Sequence, residues 1–97
     1  MRIRFTVESI HDLDRLRAFV ETKNPHAARR IAAELLDGIG NLALFPDMGL
    51  PVSRAPDPTR IRDLFIGTYT VRYLREESSI IVLRIWHGEE AEKDSSS

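Results

Sequence analysis

Hydrophobic and polar residues alternate along the start of the chain and then recur at helical spacing over the next two segments. Residues Arg2–Val7 alternate between apolar and polar positions, which predicts a half-buried β-strand. From Ser9, which we interpret as an N-cap, to about Thr22 the apolar positions predict an α-helix. Asn24-Pro25 predicts the start of a second helix, because Asn caps well and Pro suits the first turn. The second helix carries an apolar stripe that predicts packing against the first: Ala28, Ile31, Ala32, Leu35, Ile39 and Leu42.

The second half of the chain predicts a proline-rich loop followed by three strands. Residues 46–59 hold four of the five prolines, and Gly38 and Gly40 before them predict fraying of the helix near residue 40. Strand-like runs follow at 60–66, 69–75 and 80–87, separated by short turns. The order β-α-α-β-β-β predicts an α+β two-layer sandwich, with a helical hairpin on an antiparallel sheet. We expect one domain over residues 1–88 and a disordered acidic and serine-rich tail over 89–97.

Composition narrows the functional classes. No apolar run approaches the ~20 residues that cross a membrane, and the first residues lack a signal-peptide pattern, so we expect a cytoplasmic protein. The chain has no cysteine, and its three histidines lack the spacing of metal ligands. No phosphate-binding glycine loop or other cofactor motif is present, so we predict neither metal nor cofactor. The net charge of −1 argues against a broad surface for nucleic acid.

Over residues 2–89 the chain resembles the RelE/ParE superfamily of bacterial toxins, and its ParE branch, the plasmid-stabilisation type, most closely. The resemblance rests on several short pieces in order and at matching spacing. They are Asn24-Pro25, Ala27-Ala28, Ile39, Leu42, Phe45-Pro46, Gly49, Arg62-Asp63-Leu64, Tyr69, Tyr73 and Leu83-Arg84-Ile85-Trp86-His87.

This resemblance implies the toxin of a type II toxin–antitoxin system. It implies a cognate ParD/RelB-like antitoxin whose C-terminal segment wraps the toxin. RelE-type members cut mRNA on the ribosome, whereas ParE-type members are associated with inhibition of DNA gyrase and are not nucleases. The oligomeric state stays open between a homodimer and a toxin–antitoxin heterotetramer.

Five residues near the last three strands are candidates for the functional site. RNA cleavage without a metal needs a base, a cation and an acid, which Arg62, Tyr73, Arg84 and His87 could provide. Alternation places Leu83, Ile85 and His87 on one face of the last strand, and Val82, Arg84 and Trp86 on the other. Arg84 is expected to stack on Trp86, and Arg62 to pair with a helix carboxylate, if their roles are structural. For binding a target or an antitoxin, the candidates are Arg62, Tyr73, Arg84, Trp86 and His87.

The residues after the last strand favour a binding protein over a nuclease. RelE-type nucleases have basic residues here, whereas this chain continues Gly88-Glu89-Glu90, and two carboxylates would repel a phosphate. Our leading hypothesis is therefore a ParE-like toxin that inhibits DNA gyrase by protein binding. The alternative is a RelE-like, metal-independent, ribosome-dependent mRNA endoribonuclease.

Overall fold

Two α-helices cover one face of a five-stranded sheet. The computed structural model describes residues 1–88, so the predicted tail at 89–97 lies outside the described residues. The elements along the chain are β1 (Arg2–Phe5), α1 (Val7–Glu21), α2 (Pro25–Asn41), β2 (Leu50–Pro51), β3 (Ile61–Ile66), β4 (Tyr69–Arg75) and β5 (Ser79–His87). The strands lie in the order β1-β5-β4-β3-β2. The predicted α+β two-layer architecture is confirmed.

The sheet differs from the predicted one in strand direction and number. It is mixed, because β1 runs parallel to β5 while every other neighbouring pair is antiparallel. The alternating pattern of β1 shows that one face is buried, but it carries no information on direction. The additional strand, β2, has only two residues within the predicted loop. Its Pro51 is tolerated because the strand lies at the edge of the sheet.

The start of α2 was predicted correctly from the residues beside it, whereas the start of α1 was not. Asn24 caps α2, its side chain accepting a hydrogen bond from the Ala27 amide at 3.1 Å, and Pro25 is the first helical residue, as predicted. The cap of α1 is Thr6 and not Ser9, since the Thr6 hydroxyl oxygen accepts from the Ser9 amide at 3.1 Å. The helix α2 ends at Asn41, one residue after Gly40, and the predicted fraying near residue 40 stays a prediction.

A β-bulge in β5 rearranges the predicted faces. Arg72 of β4 lies opposite Arg84, but the next residue, Tyr73, lies opposite Val82, so Leu83 is the additional residue. Consequently Val82 and Ile85 both lie in the core, and the prediction that Val82 shares a face with Arg84 is wrong. The core between helices and sheet is formed by Leu16, Leu35, Ile39, Leu42, Leu64, Tyr69, Val71, Tyr73, Ile80, Val82 and Ile85.

Candidate interaction surface

Arg62 and Tyr73 fix the loop that follows α2. They lie opposite each other on β3 and β4. The Arg62 guanidinium donates to the carbonyl oxygens of Thr59 at 2.9 Å and Gly49 at 2.9 Å. The fully buried Tyr73 hydroxyl donates to the carbonyl of Pro46 at 2.8 Å and accepts from the Gly49 amide at 3.0 Å. Arg62 therefore pairs mainly with loop carbonyls and not with a helix carboxylate.

The chemistry of Tyr73 follows from this burial. Removal from water raises the pKa of its hydroxyl, an effect that the hydrogen bond from Gly49 partly opposes. Because the hydroxyl proton already points to a carbonyl oxygen and the side chain has no exposed surface, Tyr73 is poorly placed to exchange protons with a substrate. Its role in the described structure is to hold the loop against the sheet.

Arg84 binds a buried aspartate of the first helix. Asp12 of α1 is 1% exposed and accepts from Arg84 Nε at 2.8 Å and from Arg84 Nη2 at 3.0 Å. It also accepts from Arg15 at 2.6 Å and from the backbone amide of Ile85 at 2.9 Å. Burial raises the pKa of this carboxyl group, but the hydrogen bonds from Arg84, Ile85 and Arg15 outweigh it, so the pKa is lowered overall. The Asp12 carboxylate thus occupies the edge of β5 beyond the last residue of β1.

Trp86 lies on the sheet face opposite the helices, beneath a different arginine from the predicted one. The Arg72 guanidinium lies over the Trp86 ring, 5.1 Å from its centroid. Arg72 also forms a bidentate pair with Asp63, at 2.7 Å and 2.8 Å. Arg72, and not the predicted Arg84, therefore stacks on Trp86. Arg84 instead binds the carboxylate of Asp12.

His87 lies on the helix side of the sheet. It is opposite Tyr69, and the two rings meet edge to face with centroids 5.1 Å apart. Its Nε2 atom is 3.1 Å from the Thr68 hydroxyl. Both rings line a cleft of about 470 Å³ whose other wall is formed by α1, with Arg15, Leu16, Phe19 and Val20, and by Lys23 after the helix.

The structure brings Arg62 and Tyr73 together at the loop, but it does not gather all five candidate residues at one place. Tyr73 and Tyr69 are four residues apart on β4, so Arg62 and His87 beside them are separated by roughly 13 Å along the sheet. Arg84 lies opposite Arg72 in the register, and its guanidinium is held by Asp12 of α1. No group of three His, Asp or Glu residues in the described part of the chain could hold a metal ion.

Sequence reasoning missed Asp12, although its position contains a signal. Ser9, Asp12 and Leu16 recur at helical spacing and are all buried, so the aspartate lies on the inner face of α1. Such a position requires a cationic or hydrogen-bonding partner. The identity of that partner was not predictable, because Arg84 is 72 residues away.

Large apolar side chains remain exposed on both layers of the molecule. Phe19 on α1 and Phe65 on β3 are 59% and 58% exposed. Further exposed apolar residues include Val7, Ile10, Leu36, Leu44, Phe45, Met48 and Leu50. These side chains offer apolar contacts to a protein partner. No helix among residues 1–88 is long and apolar enough to cross a membrane.

The fold matches solved toxin structures. A structure described as the chromosomal ParDE TA system from P. aeruginosa superimposes with a TM-score of 0.77 at 19% identity, covering 92% of this chain and 97% of that one. The toxin–antitoxin complex RelBE2 from Mycobacterium tuberculosis superimposes with a TM-score of 0.66 at 24% identity, covering 89% of this chain and 88% of that one. At these identities the likeness establishes the fold.

Sequence comparison identifies the family. The putative toxin Y4kP of Sinorhizobium fredii is 36% identical over 50 residues, a match that spans only about half (52%) of each chain. The family model for the ParE toxin of the type II toxin–antitoxin system parDE matches residues 3–92, nearly the whole chain. This chain therefore belongs to the ParE toxin family of type II toxin–antitoxin systems.

Proposed function

We propose that this ParE-family toxin inhibits DNA gyrase in the cytoplasm by binding it, without cleaving RNA. The observation that carries the proposal is the separation of Arg62, Arg84 and His87, each of which is held by protein groups at a different place on the sheet. A metal-independent ribonuclease needs its base, cation and acid around one phosphate. A protein-binding inhibitor needs exposed complementary surface, which the apolar side chains on both layers provide.

We also propose that a ParD/RelB-like antitoxin neutralises the toxin, with its C-terminal segment wrapped around the domain. The related solved structures are described as a ParDE system and a RelBE2 toxin–antitoxin complex, which supports such a partner. A helix of the antitoxin would lie across α1 and α2, covering Phe19, and an extended segment would lie against the sheet. The oligomeric state would be a homodimer or a toxin–antitoxin heterotetramer. Of the residues predicted to contact partners, Arg84 and His87 are partly exposed, whereas Tyr73 acts through the loop.

A supercoiling assay tests the proposed target. We expect the purified toxin to block supercoiling of relaxed plasmid by gyrase, while primer extension on a translated mRNA shows no cuts at codon positions. Unimpaired supercoiling at high toxin excess would refute the proposal. Codon-position cuts that disappear in the Arg62→Ala, His87→Ala double variant would instead support the endoribonuclease alternative.

A matched pair of variants tests where the antitoxin binds. Phe19→Ala and Phe65→Ala remove the same side chain at nearly equal exposure from opposite layers. If the antitoxin helix lies across α1 and α2, Phe19→Ala weakens the toxin–antitoxin complex about tenfold or more, since buried aromatic contacts dominate such interfaces. Phe65→Ala is expected to weaken the complex less, because Phe65 lies on the sheet and could contact only the extended segment of the antitoxin. Equal effects, measured by calorimetry, would refute this placement.

A further inference from the structure

We propose that the outer edge of β1 binds an extended segment of a partner protein, in which acidic residues alternate with apolar ones. β1 is an end strand of the sheet, so only one of its sides is paired. The inference deepens the proposed function and rests on it in one respect, namely that the segment belongs to the protein that neutralises the toxin. It specifies the strand, the backbone atoms and the charge of that contact.

The hydrogen bonds between β1 and β5 show which backbone groups remain available. The amides of Arg2 and Thr6 donate to the carbonyl oxygens of Ser78 and Val82, at 3.3 Å and 3.0 Å. Because alternate residues of a strand face opposite sides, the even-numbered residues of β1 face β5. The N–H and C=O groups of Ile3 and Phe5 therefore point away from the sheet. Among residues 1–88, neither the Ile3 amide nor the Phe5 amide donates a hydrogen bond to the backbone of a loop, a helix or another strand on this side of β1.

The side chains along this edge specify the charge of the added strand. Arg2 and Arg4 are exposed and lie on the sheet face opposite the helices, since Arg4 is level with Ile81. Neither arginine forms an ion pair with another residue of the described chain, whereas Arg15, Arg72 and Arg84 all bind carboxylates. Carboxylates at alternate positions of an added strand would lie beside these two guanidinium groups.

The other face of the edge specifies apolar residues. Ile3 and Phe5 are partly buried and pack against the core beneath the helices. Side chains of an added strand on this face would extend that apolar contact. Acidic residues on one face and apolar residues on the other give an alternating pattern, which is also the pattern that holds a strand in one register.

A second copy of the toxin is a poorer occupant of this edge. Two β1 strands paired antiparallel would place the arginines of one copy near those of the other, and like charges on neighbouring strands disfavour pairing. The opposite edge of the sheet is also less suitable, because β2 already covers β3 at Arg62 and Asp63. Of the two edges, the β1 edge therefore best matches a partner of opposite charge.

A synthetic peptide tests the proposal without knowledge of the natural partner. The probe is a blocked peptide of about ten residues that alternates Glu with Val, and the control peptide has Lys in place of Glu. We expect the Glu peptide to bind the full chain, to protect the Ile3 and Phe5 amides from hydrogen exchange, and to bind more weakly as salt increases. The Lys peptide is expected not to bind.

Two protein variants separate charge from backbone pairing. Arg2→Glu with Arg4→Glu is expected to weaken peptide binding about tenfold or more, because two attractive pairs become repulsive. The matched control, Arg29→Glu with Arg54→Glu, makes the same charge change at exposed sites on α2 and in the loop, and should bind normally. Ile3→Pro removes an outward N–H and leaves the β1–β5 hydrogen bonds in place, so it too should weaken binding.

The outcomes distinguish this inference from the proposed function. Absence of binding, equal binding by the two double variants, or amide protection away from β1 would each overturn the edge site. Self-association that Ile3→Pro abolishes, seen by sedimentation, would assign the edge to a second copy and overturn the acidic partner. Unimpaired gyrase at high excess of the free toxin, together with peptide protection of the β1 amides, would refute the proposed function and leave the edge site standing.

Discussion

Replacing Asp12 by alanine is expected to cost about 3 kcal/mol of the free energy of unfolding. Asp12→Ala removes the acceptor of the Ile85 amide, a buried backbone group whose loss of a partner costs about 1–3 kcal/mol. It also removes an acceptor from Arg84 and Arg15, whose side chains are 25% and 36% exposed. Because water partly replaces Asp12 there, their contribution is discounted, and the total falls near the lower end of the ~3–5 kcal/mol for breaking a buried ion pair.

The measurement is urea unfolding followed by the fluorescence of Trp86, the single tryptophan of the chain. A loss of about 3 kcal/mol in a domain of this size corresponds to a decrease in Tm of roughly 12–24 °C. Asp14→Ala is the control on the same helix, because its side chain is 68% exposed and lies 3.8 Å from Arg17. It makes the same change in helix propensity and is expected to alter stability by less than about 0.5 kcal/mol.

The difference between these two variants should depend on pH. The pKa of Asp12 in the folded protein lies below its ordinary value of 3.8, so its ionised form stabilises the fold above that pH. This contribution is lost as the pH falls below 3.8 and through the folded pKa. A cost of Asp12→Ala below about 1 kcal/mol at neutral pH, or one that did not shrink in acid, would refute the role assigned to the carboxylate.

Three further predictions concern the loop after α2 and the end of that helix. Tyr73→Phe is expected to cost about 1–3 kcal/mol by leaving the Gly49 amide and the Pro46 carbonyl unpaired, and the stability of the variant should fall less than that of the parent as pH rises above 10, because the Tyr73 hydroxyl no longer ionises. Gly49→Ala should cost about 1–3 kcal/mol in urea unfolding, because its Cβ would lie 2.7 Å from the Tyr73 ring, whereas Gly40→Ala, with open space around it, should stabilise the helix by about 0.5–1 kcal/mol. The opposite order of these two effects would contradict the packing described. Arg62→Ala should speed tryptic cleavage within the loop, and Arg62→Lys should not restore resistance because an ammonium group lacks the planar fork; unchanged cleavage in Arg62→Ala would show that the loop does not depend on it.

The parts of the fold that depend on neighbours in the chain were predictable. Asn24 and Pro25 start a helix through contacts within one turn, and the residues predicted to share one face of β4, Tyr69, Val71 and Tyr73, all lie in the core. The bulge at Leu83 was not predictable, because it depends on how two strands fit together and leaves no mark on the alternation of β5 alone. It is the reason that the predicted faces fail at Val82.

In the candidate site too, features set by neighbouring residues were predictable and features set by distant segments were not. The residue types on the last strands were identified, but their partners come from distant segments: Asp12 for Arg84, and the loop carbonyls for Arg62. A periodic pattern assigns a side chain to a face without saying whether another group already holds it. The available edge of β1 was likewise hidden, since it depends on the parallel pairing with β5.

That parallel pairing also bears on when the toxin becomes a folded protein. Arg2 lies opposite Ser79, so the first strand synthesised must wait for the last of the described strands before it can pair. Asp12 likewise gains its main cationic partner only when residue 84 is present. Contacts over such separations form slowly, because a long stretch of chain must first be closed into a loop. During translation the helices are complete long before the sheet, so the nascent toxin passes through a stage with a helical pair that has no sheet to cover it.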